Sequence, residues 1–299
     1  MRKAAAFCFL SLCLIAAVPA QGASAHGVGI NMPLVARIVG GGNTQYVTSL
    51  DVSNHSMGDV QVDFYLDAMN QRTQTPVIIT GSVTRDGLVA QGTGTLRSRS
   101  NAHFSDFFAS LVNAGMLPAS ALTDGVLGSA LFVFNGLNRA GQAAVTARFR
   151  SELAGGTVGV ALRGRELTGS EPQQLVAAIR DSVGNTTGEP KLYPNLFINH
   201  IGLTPAGVGT SEPVTVELRA VGSSSGSEIG SPASITIASG QTVVVSSILQ
   251  LLHVPAGSGD SILVYARVTS GNGAIHGIVA QVDNVTRDGS VFEMSRADF

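Results

Sequence analysis

The chain reads as an all-β protein: two tandem β-sandwich domains, each with a short helical turn, joined by a helix-containing linker and preceded by an export signal. Three observations predict this. Short β-branched or aromatic runs are separated by glycine, serine and asparagine clusters. The same set of runs recurs in order after more than a hundred residues, too long a period for a solenoid or propeller unit. The N-terminus has the three-part layout of a secretory signal. The expected boundaries are 1–25 for the signal, 26–166 for the first sandwich, 167–189 for the linker and 190–299 for the second sandwich.

In the signal, Arg2 and Lys3 form a basic start, Ala4 to Ala17 an apolar stretch, and Ala23 and Ala25 an A-x-A cleavage site, with Val18 and Ala20 as a competing one. The apolar stretch is too short for a membrane span. Cys8 and Cys13 are the chain's two cysteines, so cleavage leaves a mature chain without thiols. That closes thiol catalysis and zinc-thiolate sites together. The exported compartment is periplasm, cell surface or extracellular space.

The repeat is followed block by block. Leu50, Val52 and Asn54 precede the run Val60 to Phe64, as Leu196, Ile198 and His200 precede Val214 to Leu218. Thr95-Leu96 matches Thr236-Ile237, and Phe104 to Phe108 matches Val245 to Leu249. Ala130 to Phe134 is then set against Ser261 to Tyr265, and Val145 to Phe149 against Ile278 to Val282. Further strands are expected within Val60 to Leu66, Leu131 to Phe134, Ser234 to Ile237 and Ile262 to Val268, with turns at Gly41-Gly42-Asn43 and Gly271-Asn272-Gly273. Each copy is long enough to bury its own core.

Ser105 to Val112 and Ser246 to Leu252 each open on serine in a capping position and continue with bulky apolar residues. They predict helical turns that bury Phe107, Phe108 and Leu111, or Ile248, Leu249 and Leu252. Between the copies, Ser170-Glu171-Pro172-Gln173 has the spacing of a capping box with proline in the first turn. Leu175, Val176 and Ile179 then share a helical face, which predicts a linker helix ending at Gly184.

Composition restricts the partners. Removal of Arg2 and Lys3 leaves 16 basic against 20 acidic side chains, a net charge of −4, which argues against nucleic acid. Lys191 is the one lysine of the mature chain, so Schiff-base chemistry and lysine isopeptide crosslinks have almost no raw material. Aromatics total 5%, which does not supply the girdles of an outer-membrane barrel.

Four motifs with chemical potential are weighed against plainer readings. Arg37-Ile38-Val39-Gly40-Gly41 resembles the activation site of trypsin-like proteases, but the companion histidine and serine motifs are missing, since Gly259-Asp260-Ser261 continues into Ile262. His200, His253 and His276 are spaced like no metal-ligand motif. Asp283-Asn284 to Asp288 lacks the dense acidic pattern of a calcium loop and fits Asx turns. His26, if exposed by cleavage after Ala25, resembles the copper-chelating terminus of lytic polysaccharide monooxygenases and small copper carriers, with His55 or His103 as partners to consider.

The recurring plan consists of a strand ending in asparagine, a V-x-V strand, a serine-capped apolar helical turn, and two strands ending near Asp283-Asn284-Val285-Thr286-Arg287-Asp288-Gly289. It resembles the tandem immunoglobulin-like or fibronectin-like β-sandwich modules of large exported bacterial proteins. The first copy departs at that turn, with Ser151-Glu152-Leu153-Ala154-Gly155. The resemblance implies no catalytic residues. The expectation is therefore a non-enzymatic exported protein acting as a surface, adhesion or scaffolding module. It would have protein or cell-surface partners, no cofactor, no metal site, no nucleic acid and no transmembrane segment. The alternative is a copper-binding or copper-dependent oxidative protein using His26.

Overall fold

The computed structural model describes residues 27–39, 45–139, 141–153, 156–179, 192–255, 261–283 and 289–297. His26, the signal, Lys191, Gly40 to Asn43, Gly259-Asp260 and Asn284 to Asp288 lie outside them. The protein is all-β, and among the described residues the strands form antiparallel sheets of eleven, five and four strands.

The first half runs through β1 (Gly27–Val39), β2 (Gln45–Asn54), β3 (Val60–Asn70), β4 (Pro76–Thr84), β5 (Gly87–Val89), β6 (Thr95–Leu96) and β7 (Ser100–Phe104). Two short helices follow, α1 (Phe107–Asn113) and α2 (Ala121–Asp124). Then come β8 (Val126–Asn135), β9 (Ala143–Leu153), β10 (Gly156–Arg163) and β11 (Arg165–Glu166). One layer has the order β4-β3-β8-β1 and the other β7-β2-β9-β10. They are joined because β1 pairs with β8 along most of its length and with β2 through Arg37 to Val39. Its register shifts between Met32 and Val35, around Pro33, which has no N–H to give to a ladder.

The second half runs through β12 (Gln174–Ile179), β13 (Leu192–His200), β14 (Val214–Gly222), β15 (Glu228–Ile237), β16 (Thr242–Val245), α3 (Ile248–Leu251), β17 (Ile262–Ser270), β18 (Ile275–Asp283), β19 (Gly289–Glu293) and β20 (Ser295–Arg296). Its layers are β15-β14-β17-β12 with β20 at the edge, and β16-β13-β18-β19. These orders parallel those of the first half. The backbone bonds do too: Gly164 N–H donates to the Val145 carbonyl and Met294 N–H to that of Gly277, while Leu167 donates to Gly29 and Ala297 to Gln174.

Among the described residues the expected linker helix is absent, because Gln174–Ile179 is the strand β12, paired with β17 on one side and β20 on the other. Burial there alternates, with Leu175, Ala177 and Ile179 inside and Val176 and Ala178 outside. A period of two defines a strand, and reading Leu175, Val176 and Ile179 as one face mistook it for a helical period. Residues 174–179 thus form the first strand of the second half rather than part of a helical connector.

Two further corrections concern register and caps. Leu50 stands opposite Phe104 and Leu196 opposite Val245, while Val60 faces Leu96 and Val214 faces Ile237, so these blocks keep their offsets. Val52, however, pairs with Val145 while Ile198 pairs with Gly277, and Phe64 pairs with Phe132 while Leu218 pairs with Ala266. The last blocks are therefore displaced by one and three residues from the sequence matching, and an odd displacement exchanges the two faces of a strand. In α1 the cap is Asp106, whose carboxylate accepts from Ala109 N–H, rather than Ser105. Ser247 precedes α3 without a side-chain capping bond.

Most of the buried apolar residues gather in two large clusters. The first is aromatic: Phe107 has ring centroids of Phe64, Phe104, Phe108 and Phe132 within 5.7–6.4 Å. The second is aliphatic, built from Leu175, Ile179, Leu196, Ile198, Val216 and Ile248 among others. Ile278 of the second half belongs to the first cluster, with Phe197 and Val291 packed against it. No described helix is long and apolar enough to cross a membrane.

Candidate functional site

The sheet β16-β13-β18-β19 is covered on both faces. Leu196, Ile198, Ile275 and Val279 point into the aliphatic core. Phe197 and Ile278 point at the first half, and alternation puts Asn199 and its register partner His276 on the same side. Opposite them lies the outer face of β1 and β8, carrying Asn31 and Ser129.

These side chains form one continuous hydrogen-bonded array. Asn199 Nδ2 is ringed by acceptors: Ser129 Oγ at 2.9 Å and the carbonyls of Gln241, Gly240 and His200 at 3.1, 3.2 and 3.3 Å. Its Oδ1 accepts from Asn31 Nδ2 at 3.2 Å, and the same amide group meets His276 Nδ1 at 2.9 Å. His276 Nε2 lies 3.3 Å from Glu171 Oε2, and Glu171 Oε1 accepts from the Thr168 amide at 2.6 Å.

The orientations follow one another. Backbone carbonyls accept only, so Asn199 presents its NH₂ to them and its oxygen to Asn31. Asn31 then presents NH₂ to the imidazole, which makes Nδ1 the acceptor and leaves the ring proton on Nε2, aimed at Glu171. The His276 and Glu171 side chains are 0% and 1% exposed, so this histidine–carboxylate pair is closed to any substrate.

The electrostatics agree with a neutral ring and an ionised acid. Burial is the largest influence on His276 and lowers its pKa below 6.5; Arg165 acts in the same sense, against Glu171 and Glu293. Burial alone would raise Glu171, but the hydrogen bonds from His276 and the Thr168 amide, with the charge of Arg165, hold it below its ordinary 4.5. At the far end, Asp67 lies against Gly240, whose φ of +81° and contact with the carboxylate leave no room for a side chain. Burial raises Asp67 to about 6.

The histidines read from sequence are scattered. His200 is buried and ties a loop, its Nε2 to the Glu212 carbonyl at 2.9 Å and its Nδ1 accepting from Gly202 N–H at 3.0 Å. Gly273 packs on the His200 ring so closely that a Cβ would collide with it. His103 is exposed and pairs with Asp51, 2.9 Å away, and His55 is exposed beside the Gly141 carbonyl. His253 has a φ of +50° and is exposed. Among the described residues no group of three or more His, Cys, Asp or Glu is arranged to hold a metal ion. Arg37, the first residue of the protease-like string, is tied to Asp106 and to the Leu122 carbonyl within the fold. Ser261 is held at the base of β17, its carbonyl accepting from Ser223.

Sequence reasoning missed Asn31, Ser129, Glu171 and Asn199. Their signal was a polar residue inside an apolar run, as in Val28-Gly29-Ile30-Asn31-Met32 and Leu196-Phe197-Ile198-Asn199. Glu171 was absorbed into the false capping box.

One open face among the described residues is the outer face of the five-stranded sheet. Gln174, Arg267 and Glu217 stand in one row across β12, β17 and β14, Val176, Tyr265 and Arg219 in the next, and Ala178, Leu263 and Val221 in the third. A shallow groove of about 360 Å³ is lined by Gln174, Arg267, Glu217, Tyr265, Arg219 and Val221 of this grid, with Gly226 beside them. Arg219 is held by Glu217 at 2.7 Å and Glu228 at 3.1 Å. Val176 holds the register position of Asn31: each pairs with the strand that borders the V-x-V strand, at Tyr265 and Leu131, and with the short closing strand, at Ser295 and Arg165. No protein-family model matches the chain, and no curated protein matches it in sequence.

Proposed function

We propose that the protein is a non-enzymatic exported β-sandwich protein made of two copies of one module, acting as a surface, adhesion or scaffolding component with a protein partner. The observation that carries this reading is the use to which the first half puts its outer β1-β8 face: it holds another β-sheet of the same chain. The second module presents the equivalent face, centred on Tyr265, to solvent, with an aromatic ring between two arginines and an apolar end at Leu263 and Val221. Aromatic and arginine side chains are enriched at protein interfaces. The histidine–carboxylate pair, the arrangement nearest to acid–base chemistry, is spent on internal cohesion, which supports binding over catalysis.

The test is retention of the mature protein on envelope fractions of the producing cell. Replacing Tyr265 by Ala together with Arg267 by Glu is expected to reduce retention at least tenfold while leaving the folded baseline intact. Equal retention of wild type and double variant would sink the assignment of this face.

A further inference from the structure

We propose that the Asn199–Asn31–His276–Glu171 array is an acid-opened clasp between the two halves. The geometry allows one protonation state of His276. A proton added at Nδ1 would meet the Asn31 NH₂ at the present 2.9 Å contact, donor against donor. Rotating the Asn31 amide would satisfy the imidazolium but would set its oxygen against Asn199 Oδ1, which now accepts from it at 3.2 Å. Asn199 cannot rotate in turn, because its NH₂ is enclosed by the carbonyls of His200, Gly240 and Gln241. Relief therefore requires β1 and β13-β18 to separate. A buried donor left unpaired costs more than the net worth of the bond it replaces, so the strain falls on the interface.

The charged groups facing the ring are Glu171, from the segment before β12, Arg165 of β11 and Glu293 of β19. Arg165 and Glu293 also pair with each other at 3.3 Å across the halves, at the rim of the clasp. Glu171 would attract the imidazolium, yet it is already engaged by the Thr168 amide and lies on the Nε2 side, so it does not relieve the clash at Nδ1. Once the halves part, the ring is hydrated and takes a proton near its ordinary 6.5. The closed state binds fewer protons than the open one, so closure is complete above about 6.5 and weakens as the pH falls below it. His200 responds in the same direction but closes β13 on its opposite face, tied to Glu212 and Gly202.

The experiment is hydrogen–deuterium exchange on the full mature chain from pH 7.5 to 4.5, corrected for intrinsic rates, reading 27–36, 192–200 and 275–283. In the wild type, exchange in these segments should accelerate at least tenfold below pH 6, ahead of the aromatic core at 104–111. His276→Asn keeps an acceptor near the Nδ1 position without a titrating proton, and should flatten this dependence while His200 remains. Level exchange across the range in the wild type, or the same acceleration in His276→Asn, would overturn the clasp. Nitrogen-detected titration of the wild-type imidazole gives a second reading independent of the variant. It should show the Nε2–H tautomer at neutral pH and protonation coincident with the opening; protonation without opening would refute the proposal.

Discussion

The sheets β7-β2-β9-β10 and β16-β13-β18-β19 have the same strand order and lie differently in the molecule. The first has one face on the aromatic core and the other outward, where Asp51, Ser53, Asn101 and His103 make exposed bonds to one another. The second is covered on both faces, and by register its Asn199 and His276 stand where the first has Ser53 and Ala144. Exposed polar groups may exchange partners with water, whereas covered ones require a complete set within the protein. The difference in burial, rather than any difference in strand plan, is what turns ordinary polar residues into an ordered array. At the strand ends the two sheets are instead alike, because both end residues are buried: Asn54 donates to the carbonyls of Gly58, Leu96 and Arg97 and accepts from Ser56, and His200 ties its own loop in the same two senses.

The largest test of the parallel removes a strand. A fragment of residues 168–299 retains β12 and should unfold cooperatively, though below the temperature of the whole chain because Phe197 and Ile278 lose their cover. A fragment of 189–299 lacks β12, leaves β17 and β20 without their shared neighbour, and should show no cooperative thermal transition. Equal transitions for both fragments would break the equivalence of β12 with β1.

Next in size is the comparison of the two cores at their matching helical turns. Phe107→Ala, with four rings around it, should cost about 3–5 kcal/mol, and Ile248→Ala about 2–5 kcal/mol, by denaturant titration. A markedly smaller loss at Phe107 than at Ile248 would show that the aromatic cluster collapses to fill the void.

The loop ties separate the halves by pH. Asn54→Ala and His200→Ala should each lose on the order of 1–3 kcal/mol, but only the second is tied to a titrating group. Burial lowers the pKa of His200 from 6.5, with the Glu212 bond acting against it. The native state therefore binds fewer protons than the unfolded one just below 6.5, and stability falls as the pH drops through that value. Unfolding measured from pH 8 to 5 should be flatter in His200→Asn than in wild type, and unchanged in slope in Asn54→Ala.

The smallest effect is at Asp67. Its raised pKa means that the native state keeps a proton the unfolded state has released between 3.8 and about 6, so the penalty is complete above about 6 and absent below 3.8. Asp67→Asn should stabilise the protein on the order of 1–2 kcal/mol at pH 7.5 and leave it unchanged at pH 3.5. A stabilisation independent of pH would point to packing against Gly240 instead of charge.

Much of this plan is legible in the chain. Val214 to Leu218 alternates cleanly because it faces a core on one side only, and Val60 to Leu66 does so except at Asp63, which is covered on the outer face. Phe107, Phe108, Leu111 and Ile248 are buried as their apolar character requires. The segment 174–179 was not legible, because Leu175-Val176-Ala177-Ala178-Ile179 is apolar throughout and short apolar runs fit either period. The preceding Ser-x-x-Gln pattern tipped the reading toward a helix, while Glu171 was in fact committed to His276.

By itself, then, the sequence determined the class of fold and the recurrence of its blocks, since local alternation and turn residues act over a few positions and leave a mark at each. The tertiary structure decided which half owns residues 174–179, the faces of the last strands, and the joining of Asn31, Asn199, His276 and Glu171. Those depend on strand register and on one sheet covering another, and groups 168 and 245 positions apart carry no local trace of the partner they will meet.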